Sequence, residues 1–314
     1  MPSSAASIHS LTAALRKAAA YARVPENWRP AGPQQQALVG ILPHHADGAG
    51  LPEIDSIATP IHGDLVQWFA QRGWNMNISP YNPPDFGVGA ILDVLSLWVH
   101  PGEAKQKIWD GRVYDVVSMR RTSPQERCEF AFHRLPPDQQ PHISQRGNTP
   151  ENLAVSLPTR NPGETICMAM WRGSAPTSIF DLYNTVQNLR IGMDRNQLPT
   201  PTGRVLTFPM VDLAVDTDIS WLCQMQIPQR SPVTGGPVII GEAKQKNRLR
   251  MNHTGAHAES ATALLLLGGM APAPPTHLVI DHPFLFWIER QNVAQPLFYA
   301  YVDRSEWKNP GSLG

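Results

Sequence analysis

The chain has 314 residues, of which 42% are hydrophobic, and its 26 Lys and Arg residues balance its 26 Asp and Glu residues. This length allows a sizeable core, and the absence of a basic stripe argues against nucleic acid or an anionic membrane surface as a partner. No apolar run reaches the roughly eighteen residues that a transmembrane helix needs.

The first half of the chain is predicted to contain two helices and two strands. Hydrophobic periodicity predicts helices over residues 7–23 and 64–74, separated by a Pro- and Gly-rich segment, 27–57, that is typical of loops. The apolar run 89–99 predicts a strand in the middle of a sheet, and residues 112–119 alternate as a strand does.

The second half mixes strands with two helices, so the pattern indicates a mixed α and β protein. Strands are predicted over residues 153–158, 165–171, 205–215, 283–288 and 296–302. Helices are predicted over residues 178–190 and 219–227. The last two strands are almost entirely apolar, and we expect them to form a buried hairpin.

One short string, Gly-Glu-Ala-Lys-Gln-Lys, occurs twice, at residues 102–107 and 241–246. The spacing matches no repeat architecture, so we interpret the repetition as coincidence.

The N-terminal residues lack the charged start and apolar segment of a signal peptide, which favours a cytoplasmic location and leaves an extracellular one as the alternative. The cysteines, Cys128, Cys167 and Cys223, are too few and too irregularly spaced for a disulfide framework or a zinc site. We therefore expect buried thiols, no metal and no cofactor.

An enzyme is the weakest interpretation of the sequence. His44, His45 and Asp47 could suggest a metal site, and His62 lies near Asp64, but the segment around His44 and His45 is typical of solvated loop histidines. The sequence contains no helical His-x-x-x-His pair, nucleophile elbow or phosphate-binding loop. We therefore expect a protein that is not an enzyme.

Three segments together resemble the serpin family of protease inhibitors. The strongest is the apolar hairpin 281–302 with its His-Pro-Phe-Leu-Phe start and the closing Asn309-Pro310; the others are residues 251–263 and the strand 206–213. The resemblance implies an α+β fold with helices packed around three mostly antiparallel β-sheets and an exposed reactive-centre loop near the C-terminus. It also implies two parts, a divergent N-terminal segment of helix plus loop, 1–61, and a serpin-like domain, 62–314.

The function that the resemblance implies is suicide inhibition of a serine protease by a monomer. The protease cuts the reactive loop and forms an acyl-enzyme, and the cut loop inserts into a β-sheet before the acyl-enzyme is hydrolysed. The inhibitor supplies no catalytic residue, since its contribution is a metastable fold.

The residues after Gly255 have the alternation that strand insertion requires. Side chains alternate between the faces of a strand, so one face carries only small residues and the other includes two polar ones. The small face carries Ala256, Ala258, Ser260 and Thr262, and the other carries His257, Glu259, Ala261 and Ala263. By resemblance the hinge comprises Gly255, Ala256, Ala258, Ser260, Ala261 and Thr262. An Ala-rich helix or linker is the alternative for this stretch.

The family's spacing puts the scissile bond near Gly269-Met270, within the segment Leu267, Gly268, Gly269, Met270 and Ala271. No Lys or Arg occurs from Met251 to Glu289, which argues against a trypsin-like target. Leu267 or Met270 would suit a chymotrypsin-, elastase- or subtilisin-like protease.

Two departures from the family pattern leave a second function open. His253 and Thr254 stand where inhibitory members have acidic residues, and the N-terminal region is shorter than the family's helical one. The alternative is a non-inhibitory serpin-like binding or storage protein. Loop cleavage would raise the thermal stability of an inhibitor and leave that of a non-inhibitor unchanged.

Overall fold

The structure is a computed structural model that describes residues 3–45, 51–120, 130–134, 153–193, 197–198, 204–256 and 277–313. Its helices in these ranges are α1 (Ile8–Ala22), α2 (Pro33–Ile41), α3 (His62–Ala70) and α4 (Ile179–Met193). None of these described helices combines the length and apolarity needed to cross a membrane.

The strands of the described residues are mostly short. They are β1 (Ser4–Ala6), β2 (Ile54–Thr59), β3 (Gly87–Leu92), β4 (Ser96–Leu97), β5 (Glu103–Trp109), β6 (Arg112–Arg120), β7 (Ala131–Arg134), β8 (Leu153–Pro158), β9 (Glu164–Met170), β10 (Gln197–Leu198), β11 (Val205–Pro209), β12 (Val211–Thr217), β13 (Gln226–Ile227), β14 (Val238–Ile239), β15 (Gln245–Met251), β16 (Gly255–Ala256), β17 (His277–Val279), β18 (Phe284–Arg290) and β19 (Phe298–Val302).

A seven-stranded central sheet, in the order β1-β19-β18-β9-β8-β7-β10, is antiparallel throughout. Its middle strand is β9, the hairpin of β18 and β19 lies on one side of β9, and every residue of β19 is buried. The predicted C-terminal hairpin is confirmed, and the strands predicted over residues 153–158 and 165–171 form a second hairpin, β8 with β9.

The central sheet is buried on both faces, which explains why β18 reads as a continuous apolar run. Phe284, Phe286 and Ile288 lie on one face, in a core shared with the strands of the neighbouring sheets. Leu285 and Trp287 lie on the other face, in a core shared with α1 and α4.

Two further sheets flank the central one. The second sheet has the order β17-β11-β6-β5 and contains the one parallel pair among the described strands, β11 with β17. The third sheet has the order β12-β15-β16-β4, and two-stranded ladders join β2 to β3 and β13 to β14. The architecture is therefore α+β, with helices around mostly antiparallel sheets, as predicted.

Helix-capping side chains confirm two of the predicted helices. The Ser7 hydroxyl accepts a hydrogen bond from the Ser10 amide at the start of α1, and the Ser178 hydroxyl accepts one from the Asp181 amide at the start of α4. Each satisfies an amide that the first turn of a helix leaves unpaired. The helix predicted over residues 64–74 is α3, which begins at His62 and ends at Ala70.

The prediction of a loop over residues 27–57 is wrong, because α2 and the start of β2 lie there. α2 begins with Pro33 at a position where a missing amide proton costs nothing. One of its two buried residues is polar: the Gln35 side chain donates hydrogen bonds to the carbonyls of Trp221 and Cys223, and the other buried residue is Leu38. An anchor of this kind leaves little apolar periodicity in the sequence.

Two predictions between residues 205 and 227 also need correction. The single strand predicted over 205–215 is β11 and β12, which belong to different sheets and are separated at Met210. The helix predicted over 219–227 is only a 3-10 turn at Ser220–Leu222 followed by β13, because Gln224 adopts a left-handed conformation with φ of 71°.

The strand predicted over 89–99 in the middle of a sheet is divided into β3 and β4, and each pairs with a single strand among the described residues. Helices, rather than strands, account for the burial of β3, which packs against both α1 and α3. Gly89 allows α3 to approach, because a Cβ there would lie 2.8 Å from the Phe69 ring.

The expectation of solvated histidines at residues 44 and 45 is wrong for His45, which is fully buried. Its Nδ1 lies 3.0 Å from the Ile41 carbonyl oxygen, and its ring lies 4.7 Å from that of His9. No group of three metal-ligating side chains exists among the described residues. The expectation of buried thiols is correct for Cys167 and wrong for Cys223, which is partly exposed, and Cys128 lies outside the described residues.

Acid should destabilise the fold through His45. Burial lowers the pKa of His45 from 6.5 to about 4. Because the folded-state pKa lies below the unfolded one, this contribution to stability is present above pH 6.5 and is lost as the pH falls toward about 4. The full loss corresponds to about 3 kcal/mol.

We expect the urea midpoint of the wild type to fall between pH 7.5 and pH 5, and that of His45→Gln to fall less steeply. His100→Gln, at an exposed histidine, is the control and should follow the wild type. Parallel pH profiles for wild type and His45→Gln would refute this assignment.

Candidate functional site

The predicted hinge begins at a tight turn between β15 and β16. The Asn252 side-chain oxygen accepts hydrogen bonds from the amide and the hydroxyl of Thr254, and the Asn252 amide donates to the Gly255 carbonyl. The turn reverses the chain, so that β16 runs back antiparallel to β15.

β16 is flanked by a strand on each side. Ala256 pairs with Met251 of β15 and with Ser96 of β4, and Gly255 pairs with Leu97 of β4. Both residues of β16 are buried. The first two residues of the predicted hinge are therefore already a central strand of the third sheet.

Gly255 is required by this packing. A Cβ at residue 255 would lie 2.2 Å from the Ser96 carbonyl oxygen and 2.7 Å from the Leu97 Cα. Both atoms belong to the backbone of β4, which cannot rotate away as a side chain can. A residue with a side chain would therefore push β16 and β4 apart.

β15 and the chain that precedes β4 both continue past the end of β16. Beyond β16, their facing edges have no strand partner among the described residues. Residues 245–250 of β15 pair only with β12, and β3, which leads into β4, pairs only with β2. We call the gap bounded by β3 and residues 245–250 the slot. A strand with a neighbour on each side separates those neighbours by about 9.6 Å, so the slot is one strand wide where β16 ends.

The slot opens into a cavity of about 930 Å³ between the third sheet and α1. Leu11, Leu15 and Ala18 of α1 line it, together with Trp28. The Trp28 indole N–H is buried and has no hydrogen-bond partner among the described residues. The floor of the slot is therefore mainly apolar, and small side chains entering from above would be removed from water.

A buried polar cluster holds β4 from behind. The Ser96 hydroxyl donates a hydrogen bond of 2.7 Å to the Glu164 carboxylate, and Arg290 donates one of 2.8 Å to the same carboxylate. Arg290 also forms an ion pair of 2.8 Å with Glu53. Burial raises the pKa of Glu164 to about 7, and the hydrogen bonds from Ser96 and Arg290 act in the opposite direction. Because Ser96 is opposite Ala256, this cluster fixes the strand against which the hinge packs.

The predicted site residues divide at Ala256. Gly255 and Ala256 lie in β16, whereas the remaining hinge residues lie outside the described part of the chain, namely Ala258, Ser260, Ala261 and Thr262. The predicted scissile region lies outside it as well, namely Leu267, Gly268, Gly269, Met270 and Ala271. The sequence merged β4 with β3 in one predicted strand, because a two-residue strand has no periodicity of its own. It gave no sign of the slot, because the partners of a strand edge are tertiary contacts.

Comparison with known proteins gives a sequence match in the C-terminal part. The family model described as Serpin (serine protease inhibitor) matches residues 218–304. A curated relative, the putative serpin-Z8 of Oryza sativa subsp. japonica, is 28% identical over 69 residues. That match covers 22% of this chain and spans only 16% of the relative's length.

The matches to solved structures cover nearly the whole chain. A serpin from Schistosoma mansoni matches with a TM-score of 0.52 and 13% identity, over 96% of this chain and 95% of that one. Native protease nexin-1 with heparin matches with 0.53 and 12%, over 96% and 93%. The thyroxine-binding globulin complex with thyroxine matches with 0.51 and 10%, over 96% and 92%. These identities are low, so the structural matches establish the fold.

Replacement of Gly255 should loosen the hinge. We expect Gly255→Ala to cost about 1–3 kcal/mol through overpacking against β4. It should also speed hydrogen exchange at the Trp98 amide, which donates to the Thr254 carbonyl.

The control is Gly236→Ala, since a Cβ at residue 236 meets nothing within 4 Å. Equal exchange at Trp98 in both variants would show that Gly255 is not under steric constraint.

Proposed function

We propose that this chain is a serpin-like inhibitor, in line with the family model that matches residues 218–304 and with its serpin-like fold. It would inhibit a serine protease as a suicide substrate, by inserting its cut reactive loop into the slot. The observation that carries the proposal is the position of β16 between β15 and β4. A loop that continues from Ala256 in the direction of β16 enters the slot without any change at the hinge.

The register of β16 predicts which loop residues would contact which strand. Continued from Met251 and Ala256, the register puts Ala258 opposite Leu249 and Ser260 opposite Asn247. Directly opposite residues of a sheet point to the same face, and Leu249 and Asn247 are both buried. Ala258 and Ser260 would therefore point into the cavity, in agreement with the small face expected from the sequence.

The driving force of insertion would come from the two unpaired edges. Each loop residue that enters the slot forms backbone hydrogen bonds to β3 or β15, and its inward side chain becomes buried on the apolar floor. Each net hydrogen bond contributes about 0.5–1.5 kcal/mol, so that several residues together provide a substantial free energy. Insertion competes with hydrolysis of the acyl-enzyme, and the protease remains trapped when insertion is faster.

The composition of the loop limits the class of protease that could recognise it. The absence of Lys and Arg from Met251 to Glu289 leaves no residue for the acidic pocket of a trypsin-like protease. Leu267 and Met270 are suited to the apolar pocket of a chymotrypsin-, elastase- or subtilisin-like protease. We propose this class of target.

The cavity favours a second candidate function, a non-inhibitory serpin-like binding protein. A volume of about 930 Å³ with mixed apolar and polar walls, and one indole N–H without a partner among the described residues, has the size and composition of a small-molecule site. In that case cleavage of the loop would leave thermal stability unchanged, because no strand would enter the slot.

Matched substitutions on the two faces of the loop test the proposal. Ser260→Glu would bury a carboxylate on the floor of the slot, which is strongly unfavourable. Ala261→Glu would place the same group on the outer face, where the register puts it opposite Lys246. We expect the wild type and Ala261→Glu to form SDS-stable complexes with chymotrypsin, elastase or subtilisin, and Ser260→Glu to be cleaved as a substrate.

The thermal stability of each cleaved product is measured in parallel. Wild type and Ala261→Glu should gain stability on cleavage, and Ser260→Glu should not. Clean cleavage of all three proteins, with no complex and no gain in stability, would exclude the inhibitor and favour the binding protein.

A further inference from the structure

We propose that Glu164 is a proton-binding site that controls the seating of β4: β4 is held while Glu164 carries a proton and loosens when Glu164 is ionised. The control acts in the uncleaved protein and does not require insertion of the loop, so it goes beyond the inhibition proposed above. It follows from the charges that the buried cluster around Glu164 contains and from the elements that this cluster joins.

Glu164 lies where the central sheet, the β2–β3 ladder and β4 meet. It is the first residue of β9, and its partner in the register, Arg290, is the last residue of β18. Arg290 also pairs with Glu53, whose carbonyl accepts a hydrogen bond from the Asp93 amide at the end of the ladder. The Ser96 hydroxyl reaches Glu164 from β4. A change of charge on Glu164 therefore acts on all three parts.

The cluster contains two carboxylates and one guanidinium. Arg290 lies 2.8 Å from the Glu164 carboxylate and 2.8 Å from that of Glu53. The Glu164 side chain is fully buried, and only 25% of the Glu53 side chain is exposed. With both carboxylates ionised, two negative charges share one positive charge, and the excess charge lies largely away from water, which is unfavourable. One bound proton makes the cluster neutral.

The partners of the two Glu164 oxygens show where this proton is held. Oε2 accepts hydrogen bonds from Arg290, and a guanidinium can only donate, so a proton on Oε2 is excluded. Oε1 lies 2.7 Å from the Ser96 hydroxyl and 3.3 Å from that of Thr159. A hydroxyl can accept as well as donate, so a proton on Oε1 keeps the bond to Ser96. Burial raises the pKa of Glu164 to about 7, so the proton is exchanged in the neutral range.

The charged groups on the neighbouring elements do not take the place of the proton. Arg160, in the turn between β8 and β9, donates its Nε hydrogen to the carbonyl that follows β4. Glu289 points to the opposite face of β18 from its neighbour in the cluster and pairs with Arg190 of α4. Asp93 is exposed, so water screens its charge. The charge on Glu164 is therefore balanced within the cluster.

Ionisation of Glu164 would loosen β4 more than the other elements. Water can reach the carboxylate only if one of the elements around it moves. β9 and β18 pair with each other over seven residues, from Glu164 to Met170. β4 contains only Ser96 and Leu97, contributes no charge, and pairs with β16 over two residues. β4 is thus the element that yields, and β16 loses a partner when it does.

The sign of the pH dependence follows from the direction of the pKa shift. The folded-state pKa of Glu164 lies above the ordinary value of 4.5, so its contribution to stability is full below about pH 4.5 and is lost as the pH rises through about 7. The contribution of His45 has the opposite sign, because it is lost in acid. A local comparison between variants therefore separates the two.

Hydrogen exchange in the uncleaved full-length protein tests the control of β4. The Trp98 amide, which follows β4 and donates to the Thr254 carbonyl, reports the opening. Glu164→Gln imitates the protonated side chain. We expect the exchange rate of wild type divided by that of Glu164→Gln to rise about tenfold between pH 5.5 and pH 8.5, since the intrinsic pH dependence cancels in the ratio. The control is Glu289→Gln, at the adjacent carboxylate on β18, for which the ratio should stay constant.

Infrared titration of the full-length protein tests the proton itself. The stretching band of a protonated carboxyl should lose intensity in the wild type between pH 5.5 and pH 8.5, and this change should be absent from Glu164→Gln. Glu53→Gln removes the excess negative charge and leaves Arg290 to Glu164 alone. Its band should therefore titrate at a pH lower by about one unit or more.

A constant exchange ratio for Glu164→Gln, or a titrating band that Glu164→Gln leaves unchanged, would overturn the proton site. If Glu164→Gln fails to fold, the comparison of wild type with Glu53→Gln decides the matter: equal midpoints would show that the excess charge does not hold the proton. Each of these results is independent of whether the loop inserts.

Discussion

The function proposed for this protein depends on the seating of two residues, Gly255 and Ala256, between β15 and β4. Backbone pairing on both sides fixes the direction in which the chain leaves the third sheet. The absence of a side chain at Gly255 allows the contact with β4, whose carbonyl oxygen would lie 2.2 Å from a Cβ. If this strand were lost, the loop would have no defined register, and the alternation of small residues after Gly255 would have no structural consequence.

The seating of β16 also determines the state of the strands beyond it. β16 separates β15 from β4, and beyond it the edges of β15 and β3 remain unpaired among the described residues. Unpaired strand edges are ready templates for another strand. The Glu164 cluster behind Ser96 keeps β4 in place. The same part of the molecule therefore combines unpaired strand edges with buried contacts that hold a flanking strand.

Sequence analysis predicted the elements that have a strong local signal. The capped helices at Ser7 and Ser178 and the apolar hairpin of β18 and β19 were found, because each combines periodicity with capping or strand-forming residues. It failed for α2, whose buried anchor Gln35 is polar, and at Met210, where one apolar run passes between two sheets. Residues 89–99 were misassigned because burial by helices and burial by sheet neighbours produce the same apolar pattern.

The sequence by itself determined the alternation of small residues after Gly255, the absence of basic residues in the loop and the burial of the C-terminal hairpin. These properties depend on side chains that are close in the chain. Only the tertiary structure decided that Gly255 lies against Ser96 and Leu97, that β3 and β15 face each other across a slot, and that Trp74 stacks on Arg248. These contacts join residues that are distant in sequence, and no local pattern of one segment specifies which partner the folded chain brings beside it.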